Sequence, residues 1–111
     1  MSSITMEIKG RPWTFTLIPD KRFDKLHNED GALRTAITLS NKYEAHFKKS
    51  EWCVVDIRHE LGHVLKHMSH TNSVDLSAAD MEELMCELYA SNYADIALWT
   101  DKIAEKFFDR E

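Results

Sequence analysis

Along residues 13 to 18 the apolar side chains of Trp13, Phe15 and Leu17 alternate with Thr14 and Thr16, the period of a strand that buries one face. Pro19 closes that run. Asp20 can cap a short helix that turns Phe23 and Leu26 inward, and Asn28 to Gly31 supplies the turn that stops it. Alternation returns at Leu33, Thr35, Ile37 and Leu39; Ser40-Asn41-Lys42 reads as a turn, and Tyr43, Ala45 and Phe47 make a weaker third strand. The first half of the chain therefore predicts a small, mostly antiparallel, three-stranded sheet.

The period then changes to that of a helix. Ser50 is the expected N-cap of a helix over 51–68, with Glu51 in the first turn, where an acid complements the helix dipole. Val54, Ile57, Leu61, Val64, Leu65 and Met68 recur at spacings of three and four, so one stripe packs on the sheet. Ser69 to Asp75 is polar and turn-like. Ser77 with Asp80 has capping-box spacing and opens a second long helix through Met81, Leu84, Met85 and Leu88 to about Leu98. Thr100-Asp101 recaps a last helix that ends near Phe108. The expected architecture is α+β: a small sheet packed on one long helix, with a second, glutamate-bearing helix beside it.

Composition narrows the function. At 111 residues and 43% apolar content the chain can build one core without disulfides, so residues 1–111 read as a single domain. No leader-like segment opens it, and no run approaches the roughly 18 apolar residues of a membrane span, which makes a soluble cytoplasmic protein with no membrane partner the expectation. Two distant cysteines, Cys53 and Cys86, fit a reducing compartment and are expected to be partly buried thiols. A net charge of −5 argues against direct binding of nucleic acid, which needs a basic surface.

The chemistry lies in His59-Glu60-Leu61-Gly62-His63. Four residues separate the imidazoles, one helical turn and roughly 40° around the axis, so both can reach one ion, and two such ligands suit tetrahedral zinc. Glu60, about 100° from His59, can reach a water on that ion. Zinc lowers the pKa of its water and polarises a carbonyl, while the carboxylate takes the proton and passes it to the leaving amine. On a helical wheel Asp56, His59, Glu60, His63 and His67 gather opposite the apolar stripe. Gly62, costly in mid-helix by about 1 kcal/mol against alanine, suggests a close approach there. A catalytic zinc takes a third protein ligand, for which Glu82, Glu83 and Glu87 are the candidates; Ser91 and Ala94, one and two turns on, favour Glu87 over Glu83. His67 and His70 are candidates for oxyanion stabilisation or for orienting a ligand, and Tyr89 and Tyr93 for packing.

These residues resemble a gluzincin, and more narrowly the minimal metallopeptidase domain of the ImmA/IrrE family. The segment from His59 to His67 is similar to that family's HELGHxxxH, and the segment from Glu87 to Ala94 to its later E-x-x-A-(N/D)-x-F-A, whose glutamate is the third zinc ligand. The resemblance spans mainly residues 33 to 98. It implies a zincin-like fold, Zn2+ held by His59, His63 and Glu87, and Glu60 as the catalytic base of an endopeptidase. It also implies an edge strand, here 33 to 39, that pairs with an extended substrate by main-chain hydrogen bonds. Ser91 stands where the family usually has Asn or Asp and would orient a zinc histidine; Tyr93 replaces Phe. Many members are encoded near repressors on phages and mobile elements and cleave a helix-turn-helix regulator, so a protein or peptide substrate of that kind is the expectation. The alternative is a non-enzymatic, zinc-containing module that captures a protein partner.

Overall fold

A computed structural model describes residues 2–69 and 76–109. Strand β1 (Ser3–Ile8) and strand β2 (Arg11–Ile18) form a hairpin closed by Lys9 and Gly10, both at positive φ (54° and 85°), as a two-residue turn matched to strand twist requires. Helix α1 (Asp20–His27) follows, then strand β3 (Ala36–Leu39), a single 3-10 turn (Ser40–Lys42) and strand β4 (Glu44–Lys48). Helices α2 (Val54–Met68), α3 (Ala78–Ser91) and α4 (Tyr93–Phe108) complete the α+β fold. The sheet has four strands in the order β1-β2-β4-β3 and is mixed: β2 and β4 run parallel, the outer pairs antiparallel.

This corrects the three-stranded antiparallel expectation in two ways. β1 is an additional strand whose Ile4, Met6 and Ile8 pack inward, and α1 with β3 carries the chain across so that β4 returns beside β2 in the same direction. The inward faces of Trp13, Phe15, Leu17, Ala45 and Phe47 meet Ile57, Leu61, Val64 and Leu65 of α2 and Ile96, Ile103 and Phe107 of α4. Dry, close-packed contacts of this kind contribute about 25 cal/mol per Å² of apolar surface removed from water. The other face of β4 carries Glu44, His46 and Lys48, and α1 lies against it, with Phe23 buried but Leu26 52% exposed rather than turned inward.

Several boundaries shift for local reasons. α2 starts at Val54 with Cys53 as N-cap, because Asp56 accepts the Cys53 main-chain N–H at 3.1 Å. Ser50 instead gives its main-chain N–H and its hydroxyl to Asp20. Val54 lies outside the buried stripe, and both cysteines are exposed rather than partly buried. The Ser77 cap of α3 holds, its Oγ accepting from Asp80 N at 3.1 Å. The helix continues to Ser91 rather than Leu98. Asn92 breaks it, with its side-chain amide turned back on the Leu88 carbonyl at 2.8 Å, and α4 begins at once. Thr100, expected at a cap, is buried inside α4. His70 and most of the polar stretch from Ser69 to Asp75 lie outside the described residues. Among the described residues no helix is long and apolar enough to cross a membrane.

Candidate functional site

Sheet packing on one side and α3 and α4 on the other leave α2 a narrow strip of surface. His59 and His63 occupy it, both exposed, with ring centroids 5.0 Å apart and planes at 79°. Glu60 does not share that exposure: it is 5% exposed and turned towards β3, where its Oε1 accepts the Thr38 hydroxyl at 2.8 Å. The five polar residues grouped by the wheel thus separate. Asp56 caps the helix and accepts from Thr35 at 3.1 Å, and His67 packs edge-on to Trp13 and Tyr43. The wheel records only angle around the axis, whereas α2 is covered from two sides, and the cover decides exposure.

Gly62 explains itself through Tyr89. The Tyr89 hydroxyl donates to the Arg58 carbonyl at 2.7 Å, and a Cβ placed on Gly62 would lie 2.8 Å from that hydroxyl. Only glycine lets the ring of α3 lie on the turn that carries the two histidines. Burial, and after it the nearby Glu60 carboxylate, push the Tyr89 phenol above its ordinary value, so the hydroxyl is a donor throughout the neutral range.

Glu87 is exposed on α3, two residues before Tyr89, hence about 200° around the axis from the ring that faces α2. Glu82 and Glu83 are also exposed. Among the described residues no three His, Cys, Asp or Glu side chains gather closely enough to hold a metal ion. The structure therefore brings together His59 and His63, whose spacing and ligand type fit zinc, with Glu60 on the adjoining turn; it does not bring Glu87 to them. Ser91 is exposed at the end of α3, and its neighbour Asn92 is the buried residue there.

Sequence reasoning missed Thr38. The alternation of Leu33, Thr35, Ile37 and Leu39 suggests that these four face the core, but the register pairs Ile37 with His46 and Thr38 with buried Ala45, so Ala36 and Thr38 face α2. β3, at Ala36–Leu39, is an edge strand of the sheet.

A second imidazole pair was also missed. His27 Nε2 and His46 Nδ1 lie 2.9 Å apart, and His46 Nε2 is 3.1 Å from Glu44 Oε1. A carboxylate only accepts, so His46 donates to Glu44 and, when neutral, accepts from His27.

No family model matches the chain, and no curated protein or solved structure matches it either.

Proposed function

We propose that this protein is a zinc-dependent endopeptidase of the cytoplasm, acting on a protein or peptide segment that can lie extended along β3. The observation that carries this reading is Glu60. A carboxylate costs free energy to bury, and an apolar residue would serve the packing of α2 better. Here the acid is held at one oxygen by a strand hydroxyl, beside two imidazoles that project from the same turn. The resemblance to the ImmA/IrrE metallopeptidases adds Glu87 as the third ligand.

His59 and His63 would hold the metal through neutral ring nitrogens. A bound zinc ion supplies Lewis acidity towards a scissile carbonyl and towards water. Glu60 accepts the proton of the attacking water and later delivers it to the leaving amine nitrogen. The edge of β3 aligns the peptide, its free main-chain groups offering hydrogen bonds at no cost in side-chain ordering. Tyr89 and Gly62 keep α3 against the histidine turn.

The test is Glu60→Gln in the zinc-loaded chain. Metal content should stay near that of the parent, and hydrolysis of a quenched-fluorescent peptide library should fall by about 10²- to 10⁴-fold, the range for loss of a general base. A variant as active as the parent would sink the mechanism. A parent chain that holds zinc yet cleaves nothing would instead favour the protein-binding module.

A further inference from the structure

Among the polar contacts of α2, one joins the proposed base to a different element of the fold. The Thr38 hydroxyl lies 2.8 Å from Glu60 Oε1 and 3.4 Å from the Glu60 main-chain oxygen. A hydroxyl carries one proton, and the nearer acceptor, Glu60 Oε1, takes it. No other hydrogen bond reaches the Glu60 carboxylate among the described residues.

We infer that Thr38 is a positioning residue: its hydroxyl fixes the Glu60 carboxylate through Oε1 and leaves Oε2 as the oxygen that works as base. The inference rests on the reading of Glu60 as the base of a peptidase. A glutamate side chain has three rotatable bonds, and freezing it costs rotamer entropy, which a preformed hydrogen bond spares the reaction. Thr38 suits the task because β-branching confines its χ1, and because it stands on a strand paired into the sheet, in register opposite Ala45. The base is then placed by the sheet, while the two histidines are placed by the helix. Thr38 also sits on the edge strand proposed to align the substrate, so one residue ties peptide register to the position of the base.

Thr38→Val removes the donor at nearly constant shape, and Thr38→Ser restores it. In the zinc-loaded chain, with the peptide library as substrate, Thr38→Val should lower kcat by about 10-fold or more at similar KM and unchanged zinc content, and Thr38→Ser should recover most of it. Equal kcat in Thr38→Val and the parent overturns the inference, and so does failure of Thr38→Ser to recover. A second measurement needs no activity: thermal midpoints of Thr38→Val, Glu60→Gln and the double variant. Losses that fail to add support the bond, and strictly additive losses overturn it. Zinc binding and non-additive midpoints without any hydrolysis would overturn the peptidase reading and the positioning role together. Hydrolysis with additive midpoints would overturn the positioning role alone.

Discussion

His59 and His63 stand one turn apart on a single helix and face solvent, whereas His27 and His46 come from α1 and β4, nineteen residues apart, and meet nitrogen to nitrogen at 2.9 Å. The ring centroids are almost equally spaced, 5.0 Å in the first pair and 5.1 Å in the second. Their surroundings differ. The first pair has a buried carboxylate on the next residue and no hydrogen bond of its own to other described residues, so its nitrogens are available to a ligand. In the second, each pair nitrogen is engaged by the other ring, Glu44 takes the remaining His46 nitrogen, and the Arg34 and Lys42 cations lie near enough to disfavour another positive charge. Spacing alone does not make a ligand pair; unspent donors and the local field do.

The largest test of that difference is metal content. His63→Ala should take the purified chain from about one zinc to nearly none, because a lone imidazole holds the ion weakly. His46→Ala should leave it unchanged. Elemental analysis of both variants decides the matter, and loss of metal from His46→Ala but not from His63→Ala would reverse the assignment. Glu87→Ala in the same series asks whether the third ligand carried over by resemblance takes part; it should lose metal as His63→Ala does.

The first pair was legible in the sequence because its geometry is local: four residues of helix fix it whatever the helix packs on. The strands of β2 and β4 were legible through Trp13, Phe15, Leu17, Ala45 and Phe47 for the same reason, since alternation is a property of the strand itself. What required the neighbours was not. Thr38 faces α2 only because β3 pairs antiparallel with β4 at that register, and a one-residue change of phase moves every side chain to the other face. β1 carries an ordinary alternation at Ile4, Met6 and Ile8, but it needs the Lys9-Gly10 turn to become a hairpin. The break at Asn92 rests on a side-chain bond to Leu88, which competes with a pattern of apolar residues that runs on unbroken.

A middle-sized effect separates the backing of the first pair from helix propensity. Alanine at an exposed mid-helix glycine gains about 1 kcal/mol. At Gly62 the added Cβ meets the Tyr89 hydroxyl at 2.8 Å and its ring at 3.2 Å, so the ring must shift and give up its bond to Arg58. Overpacking costs about 1–3 kcal/mol and a lost hydrogen bond about 1 kcal/mol, so the net change is a destabilisation of about 1 kcal/mol or more. In a Tyr89→Ala background the same substitution should stabilise. Denaturant unfolding of the four chains measures both signs; destabilisation in both backgrounds would show that something other than Tyr89 occupies the space.

The smallest effect belongs to the second pair and appears on changing pH. Burial first, then the charges of His46, Arg34 and Lys42, hold the His27 imidazole below its ordinary value of 6.5. The folded chain thus prefers neutral His27, and above about pH 6.5 neither state binds the proton, so the full stability is present. As pH falls below that point the unfolded chain takes up the proton first. Stability is lost through this window and stops falling once the folded imidazole protonates too. His27→Gln removes the group, so its thermal midpoint should drop less than the parent's between pH 7.5 and pH 5. Parallel curves would mean that His27 titrates alike in the folded and unfolded chain, and that the 2.9 Å contact to His46 does not favour the neutral ring.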